Sequence, residues 1–258
     1  MKASAHDGDH EFFELMSHHM PRMFVSVMRH LPSEPRCRLC RAPYGGVGGR
    51  VMRRFGYGPS RKNPTLCATC FEKAPLGGVE MEIGVFFADV RGFTSMAETM
   101  DPTGVADLLN RFYESASAIL NRSAIIDKLV GDEVMALYIP QLFGVEASAD
   151  DMLRDARELL EAVPWLQLGI GLAVGTAYVG NVGSGEVKDF TALGDVVNTA
   201  SRLQSSAAAG QIVISERLFE RLAEPPPEAR HTTLELKGKQ DPEPVWLMDV
   251  GSPAILRA

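Results

Sequence analysis

Two aspartates follow apolar runs at glycine-containing turns, a pattern suited to holding cations. Asp89 closes the apolar stretch of FFADVRGFT at residues 86–94, and Asp132 follows Gly131 in DKLVGDEVMALY at residues 127–138. The second stretch is typical of a strand–turn–strand hairpin. If the two strands are neighbours, the carboxylates converge and can hold two Mg²⁺ ions about 4 Å apart for an in-line displacement at phosphorus. The alternatives are a capping or turn role for Asp89 and a solvated hairpin tip for Asp132.

A third polar group lies in DFTALGDVVNTASRL at residues 189–203. Asn198 and Arg202 are four residues apart, and this spacing places both side chains on one face of a helix. An amide and a guanidinium can therefore reach one ligand, and a guanidinium suits the charge that builds on a phosphoryl group. Asp195 is interpreted as a helix cap or a first-turn acid.

All four cysteines lie in two short motifs, Cys37-x2-Cys40 and Cys67-x2-Cys70, with 26 residues between the motifs. Two such turns favour a tetrahedral thiolate zinc site, which would stabilise a segment too small to fold on its core alone. An iron–sulfur cluster, a redox disulfide pair and unligated thiols are the alternatives. The Gly- and Arg-rich stretch between the motifs predicts a loop.

Charge is distributed unevenly along the 258 residues, whose net charge is -7. Residues 1–79 hold 12 Lys and Arg against 6 Asp and Glu, whereas the remainder holds 14 against 27. We interpret the basic stretch as a solvated loop that docks on the acidic remainder of its own dimer, where a regulatory contact is one option. A nucleic-acid or membrane contact is the alternative. The basic residues of the stretch are Arg36, Arg38, Arg41, Arg50, Arg53, Arg54, Arg61 and Lys62.

The order of elements predicts two domains, residues 1–76 and residues 77–258, joined at the Pro- and Gly-containing stretch KAPLGGVE. Residues 9–31 are expected to form an amphipathic helix, bent at Pro21, and His10, His18 and His19 are interpreted as surface histidines. The chain shows no apolar run long enough to span a membrane and no signal pattern, so a cytoplasmic location is expected.

The second domain alternates strands and helices. We expect a strand ending at Asp89, a helix capped by Asp101, the hairpin, a helix at 146–162, and then a strand pair that turns at Gly175 and Gly180. A helix over DVVNTASRLQSSA, a strand over QIVIS, and a basic turn with a final strand follow. The predicted fold class is α+β, with a mainly antiparallel sheet and helices.

Four stretches together resemble the catalytic domain of class III adenylate/guanylate cyclases, in order and at similar spacing over residues 80–250. They are FFADVRGFT, DKLVGDEVMA, GNVGSGEVKDFTALGDVVNTASRL and LKGKQDPEPVWL. The resemblance implies a ferredoxin-like, palm-type sandwich and a homodimer whose active sites combine residues of both subunits. The cysteine-containing segment is outside this resemblance.

The resemblance also implies roles for individual residues. Two Mg²⁺ or Mn²⁺ ions per active site would be bound by Asp89, Asp132 and the Val90 carbonyl, and the phosphates would lie near the backbone of Phe93 and Thr94. Asn198 of the other subunit would orient the ribose, and Arg202 would stabilise the transition state at the α-phosphoryl group. One ion would lower the pKa of the 3′-hydroxyl, which attacks the α-phosphorus and expels pyrophosphate.

Base choice is assigned by resemblance to Lys128 and Thr191, which are similar to the adenine-reading pair of the class IIIb branch. A Lys donor suits a ring nitrogen and a Thr hydroxyl can accept from an exocyclic amine, so ATP is favoured. The alternatives are GTP, CTP or UTP as substrate, or an interaction module carrying an inactive cyclase scaffold.

Two features depart from the family: NRSAIIDK lacks the common Gly-Gly turn, and Arg91 either contacts phosphate or pairs with an acid. Lys237 and Lys239 are both candidates for the terminal phosphates.

Overall fold

The computed structural model describes residues 27–28, 35–60, 64–72, 76–140, 149–184, 187–239 and 241–250. The helix predicted at residues 9–31 lies outside this description except for two helical residues, as do His10, His18 and His19. The chain forms two compact units. The smaller contains the described residues of Met1–Met81 and Ala177–Leu193, and the larger contains those of Glu82–Pro140, Gly144–Thr176 and Gly194–Ala258. The domain boundary at residue 76 stays a prediction.

The elements that belong wholly or partly to the larger unit alternate between strands and helices, as the sequence predicts. They are β1 (Gly77–Val90), α1 (Phe93–Ala97), α2 (Pro102–Leu120), β2 (Ile125–Val130), β3 (Glu133–Tyr138), α3 (Ala149–Ala162), β4 (Leu168–Ser184), α4 (Asp195–Ser206), β5 (Gln211–Ser215), α5 (Glu216–Phe219), β6 (Arg230–Leu234) and β7 (Glu243–Asp249). The long strands β1 and β4 contribute residues to both units.

The described strands form an open sheet in the order β2-β3-β1-β4-β5-β7-β6. The β1–β3, β2–β3, β5–β7 and β6–β7 pairs are antiparallel, whereas β4 and β5 are parallel. This mixed α+β architecture confirms the predicted fold class. Strand β6 was missed because its residues RHTTL are largely exposed and polar, so the stretch lacks the apolar signal of a core strand.

Helix α2 begins where the sequence predicts. The Asp101 side chain accepts hydrogen bonds from the backbone N–H groups of Thr103 and Gly104, and Pro102 occupies the first helical position. Apolar residues recur on one face of the helix, and the buried ones are Phe112, Ala116, Ile119 and Leu120. Their burial fixes the helix on the sheet, where Phe86 and Tyr138 of neighbouring strands are also fully buried.

The strand pair predicted over residues 167–183 is wrong, because β4 is one continuous strand of 17 residues. Its glycines mark close approach instead of a turn. A Cβ atom at Gly175 would lie 3.0 Å from the Val196 side chain, and one at Gly180 would overlap the backbone of Gly77 and Gly78. Glycine in a strand serves either purpose, and the sequence does not distinguish them.

The smaller unit holds the cysteine motifs and a hairpin. Within it, residues Tyr178–Ser184 of β4 pair antiparallel with β8, the strand Val187–Leu193. The loop predicted between the cysteine motifs contains a helix, α6 (Gly46–Arg54), and a short helix, α7 (Ala68–Glu72), follows Cys67. The prediction failed because Met52 and Gly49 are buried against their surroundings, and this packing outweighs the low helix propensity of glycine. None of the described helices has the length and apolar character needed to cross a membrane.

Candidate active site

The pairing of β1 with β3 brings the two predicted aspartates together. Asp89, near the end of β1, lies opposite Glu133 in the antiparallel register, and Asp132 directly precedes Glu133. Gly131 has a positive φ of 58°, which completes the tight turn of the β2–β3 hairpin. The convergence expected from the sequence is therefore present in the larger unit.

Negative charge is crowded at this edge of the sheet. Burial, together with a hydrogen bond shared with Asp89 and the charge of Asp89, raises the pKa of the Asp132 carboxyl to about 6. Burial and the same Asp89 charge raise the pKa of Glu133, although Lys128 opposes this effect. Two carboxylates at hydrogen-bonding distance cannot both ionise without cost unless a cation is present.

Two residues from outside the hairpin orient Asp89. The Gln204 amide donates to Asp89 Oδ2 at 3.0 Å, and Arg91 Nη2 lies 3.3 Å from the same oxygen. Arg91 also donates to the Gln204 carbonyl at 3.0 Å. Arg91 thus pairs with an acid, one of the two possibilities left open by the sequence, whereas Gln204 was missed because 115 residues separate it from Asp89.

Tyr113 holds the tip of the hairpin. Its hydroxyl donates a hydrogen bond to the Gly131 carbonyl, next to Asp132. Burial and the nearby Asp132 charge raise the pKa of Tyr113, so the phenol remains a hydrogen-bond donor at neutral pH. No local pattern indicates this role, since the tyrosine lies in an amphipathic helix 18 residues from its partner.

Asn198 and Arg202 both lie on α4, as predicted. Asn198 is exposed and Arg202 is half-buried, with the guanidinium against Gly238, where a Cβ atom would lie 3.3 Å from Nη2. Helix α4 rests directly on the sheet, because a Cβ atom at Gly171 of β4 would overlap the backbone of Ala200 and Gln204. Backbone contact of this kind fixes the direction in which the helix presents its polar face.

The other predicted residues lie on the expected elements, and their roles remain predictions. Phe93 and Thr94 form the first turn of α1, after Gly92 with its φ of 73°, and Val90 is the last residue of β1. Lys128 is an exposed residue of β2 beside a register shift. Thr191 is buried on β8 of the smaller unit, opposite Gly180.

The two candidate phosphate contacts near Gly238 differ in their surroundings. Lys239 Nζ lies 3.2 Å from an Asp195 oxygen and 2.9 Å from a Glu243 oxygen. Lys237 is exposed. Two carboxylates already neutralise Lys239, so Lys237 has the greater freedom to meet an added anion.

A second candidate metal site is present in the smaller unit. The Sγ atoms of Cys37, Cys40, Cys67 and Cys70 all lie within 4.8 Å of one another, and all four residues are fully buried. None of these cysteines, all in described ranges, forms a disulfide. The cluster predicted from the sequence spacing is therefore assembled, while its ligand remains a prediction.

The mixed α+β sheet and its helices match the fold of adenylyl and guanylyl cyclase catalytic domains. The family model described as "Adenylate and Guanylate cyclase catalytic domain" matches residues 79–249, and the chain belongs to this family. Family members of this class use Mg²⁺ or Mn²⁺, and the paired carboxylates described above are oxygen ligands of the kind such ions prefer.

Curated relatives match this chain over only part of their own length. An adenylate cyclase of Anabaena cylindrica is 31% identical over 173 residues, which cover 59% of this chain and 34% of the relative. An uncharacterized protein of Mycobacterium tuberculosis is 30% identical over 183 residues, covering 68% of this chain and 33% of the relative. The chain thus spans about a third of the length of these curated relatives.

Solved structures show the same architecture. The guanylyl cyclase Cya2 has a TM-score of 0.62 at 26% identity, with 70% of this chain and 98% of that chain covered. The adenylyl cyclase CyaB from P. aeruginosa has a TM-score of 0.60 at 28% identity, with 67% and 95% covered. These neighbours support the fold and the class while carrying both substrate names.

Proposed function

We propose that the chain is an adenylate cyclase that converts ATP to 3′,5′-cyclic AMP and pyrophosphate at the interface of a homodimer. The observation that carries the proposal is the β1–β3 register, which sets Asp89 opposite Glu133 and so next to Asp132, whose pKa is raised by burial and by Asp89. The same unit presents Asn198 and Arg202 on one helix. These are the groups that binding of metal–nucleotide and stabilisation of a phosphoryl transition state require.

The residues at the acidic edge fit divalent cations. Asp132 keeps a raised pKa because burial and Asp89 both disfavour its charged form, and a bound cation would relieve this repulsion. Asp89, Asp132 and the Val90 carbonyl would hold the ions. When bound, Mg²⁺ or Mn²⁺ would supply Lewis-acid stabilisation of the 3′-alkoxide and of the phosphate charge.

The reaction is an in-line displacement at phosphorus, for which the chain's own residues would orient the nucleotide and stabilise the developing charge. The 3′-oxygen forms a bond to the α-phosphorus, its proton passes to solvent, and the bond from that phosphorus to the bridging oxygen breaks as pyrophosphate leaves with the electron pair. Asn198 of one subunit would orient the ribose against the acids of the other, and Arg202 would donate to the α-phosphoryl oxygens as their charge rises. No covalent intermediate with the protein is needed.

The preference for ATP rests on Lys128 and Thr191. A lysine donor meets the ring-nitrogen acceptor of adenine, and a threonine hydroxyl accepts from its exocyclic amine. Proteins named for both adenylate and guanylate cyclisation match the chain, so the products formed from each nucleotide decide the base preference.

The test is incubation of the purified 258-residue chain separately with ATP, GTP, CTP and UTP, each with Mg²⁺ and with Mn²⁺. Cyclic AMP is expected as the main product. Absence of cyclic product from all four nucleotides would overturn the enzymatic proposal. Formation of cyclic GMP alone would overturn the base assignment and leave the cyclase mechanism in place.

A further inference from the structure

The four-cysteine cluster has the dimensions of a single-ion thiolate site. Cys40 Sγ and Cys67 Sγ are 3.7 Å apart, far longer than a disulfide bond. A tetrahedral zinc site with Zn–S distances of about 2.3 Å places its sulfurs about 3.8 Å apart. The spacing of this pair therefore matches one edge of such a tetrahedron, with the other sulfurs close by.

Backbone groups are already directed at the sulfurs. The Cys67 N–H donates to Cys37 Sγ at 3.3 Å, and the Cys70 N–H donates to Cys67 Sγ at 3.3 Å. Such hydrogen bonds stabilise the thiolate form and orient it for a metal. The two motifs are also joined directly, because the Arg38 N–H donates to the Thr65 carbonyl at 2.9 Å.

An aromatic contact connects the cluster with the β4–β8 hairpin inside the smaller unit. Phe71, next to Cys70 on α7, lies with its ring centroid 6.4 Å from that of Phe190 on β8, at 54°. Phe190 is only 2% exposed, and its neighbour in sequence is Thr191. A shift of α7 therefore acts on the strand that carries the proposed base-reading hydroxyl.

We propose that Cys37, Cys40, Cys67 and Cys70 bind one Zn²⁺ ion and that this site positions β8, through Phe71 and Phe190, for recognition of the nucleotide base. Thr191 is the contact residue, and Phe71 is a positioning residue. The base-recognition part rests on the proposed function, whereas zinc binding and the stiffening of β8 stand without it. Thiolate ligands and a closed, fully buried set of four favour a structural zinc ion.

Metal content tests whether the four cysteines bind one zinc ion. The full chain, purified without added chelator, is expected to contain about one zinc per chain by elemental analysis, and cobalt substitution is expected to give the absorption bands of a tetrahedral thiolate site. Failure to retain zinc after equilibration with one equivalent would overturn the proposal. Iron with acid-labile sulfide in place of zinc would also overturn it.

Hydrogen exchange tests the coupling without reference to activity. Removal of zinc by a chelator is expected to increase amide exchange in β8, as is Phe71→Ala, which leaves all four cysteines intact. Loss of the aromatic contact is expected to reduce protection in this strand roughly three- to tenfold. Phe55→Ala is the matched control, because Phe55 belongs to the same unit and is 69% exposed. Unchanged exchange in β8 for zinc-bound Phe71→Ala would contradict the positioning role.

Nucleotide selectivity then tests the link to base recognition. Zinc-bound Phe71→Ala is expected to lower the ratio of kcat/KM for ATP over GTP roughly three- to tenfold, mainly through KM, while Phe55→Ala keeps the original ratio. An unchanged ratio with increased β8 exchange would refute the role in base recognition. Absence of cyclase activity in the parent chain would refute the proposed function, and the zinc and exchange measurements would still decide the metal site.

Discussion

Two acids in the larger unit, Asp155 and Asp132, have different kinds of polar partner. Asp155 is fully buried, yet its oxygens accept from Tyr138 at 2.9 Å and Arg154 at 3.0 Å, and Arg122 lies 3.6 Å away. Asp132 instead shares a hydrogen bond with another acid, Asp89. Among the described residues, Asp132 forms no ion pair, although Asp89 pairs with Arg91.

The difference in partners distinguishes an acid that stabilises the fold from an acid that is a candidate to bind a ligand. A buried carboxylate with a tyrosine and arginines around it is a structural group, and removal of either partner leaves the other uncompensated. A carboxylate that faces a second carboxylate is costly to the folded protein, and such groups concentrate at functional sites. If the two acids differ in this way, their substitutions should have different consequences for activity and for stability.

Substitution of Asp132 is expected to abolish catalysis without loss of stability. Metal ligation contributes several kcal/mol to transition-state stabilisation, so Asp132→Asn should lower kcat/KM about a thousandfold or more. In metal-free buffer the free energy of unfolding should stay equal or rise by up to about 1 kcal/mol, because repulsion with Asp89 is removed.

Cyclic-nucleotide assays and urea unfolding measure the two quantities for Asp132→Asn. Asp107→Asn, at an exposed position of α2, is the control and should change neither. A variant that is less stable but retains activity per folded molecule would place Asp132 with the structural acids.

Mixing two inactive variants tests whether the acids work with a second copy of the chain. Asp89→Ala and Arg202→Ala should each be inactive as homodimers, because each lacks a proposed site residue in both sites. In a heterodimer one site carries both changes and the other neither, so verified heterodimers should regain about half of the wild-type activity per dimer. No recovery would show that Asp89 and Arg202 do not serve one site from different subunits.

Asp155→Asn is expected to affect stability rather than chemistry. The substitution removes the negative charge between Arg154 and Arg122, and the free energy of unfolding should fall by about 2–3 kcal/mol, less than for a fully buried pair because the arginines are half-exposed. Equilibrium urea unfolding measures the loss, and kcat per folded molecule should be unchanged. Stability equal to that of the wild type would remove Asp155 from the structural group.

Glu82 gives the smallest effect, since it is a compensated acid near the surface. Hydrogen bonding and charge from Arg221, with Arg217 also adjacent, lower its pKa although burial opposes this. A lowered folded-state pKa stabilises above the unfolded value near pH 4.3, and the contribution is lost as pH falls through the folded value. Glu82→Gln should therefore cost about 0.5 kcal/mol at pH 7, and the difference from wild type should shrink below about pH 4.

Thermal or urea unfolding at several pH values checks the Glu82 prediction, with added salt as a further control. Salt should reduce the difference because Glu82 and Arg221 are each 40% exposed. A difference that grows at low pH would have the wrong sign for a compensated acid.

The sequence predicted the convergence of Asp89 and Asp132 because the signals for it are local. Alternating apolar residues, Gly131 and the two aspartates define the hairpin and its charge within short stretches, and the register then follows from strand pairing. Asp101 as a helix cap was likewise readable from neighbouring residues. By contrast, Gln204 and Tyr113 act on Asp89 and the hairpin tip through tertiary packing, which no local pattern encodes.

The errors also have physical causes. The glycines of β4 suggested a turn because glycine is common in turns, but there they admit the backbone of other elements. The helix α6 was missed because its glycines and arginines have mixed local preferences, whereas the burial of Met52 is decided by the fold. The cysteine spacing succeeded because two short motifs restrict where four sulfurs can meet.

Gly171 is a position that the structure constrains although it has no side chain to do chemistry. Its lack of a side chain lets the backbone of α4 lie on β4, and the same helix carries Asn198 and Arg202. A survey of random substitutions scored only by product formation would therefore find this glycine as sensitive to substitution as the acidic residues, although it has no functional group to lose. An engineer who transplanted Asn198 and Arg202 onto another scaffold without this contact would keep the two side chains. The close helix–strand spacing that sets their direction would be lost.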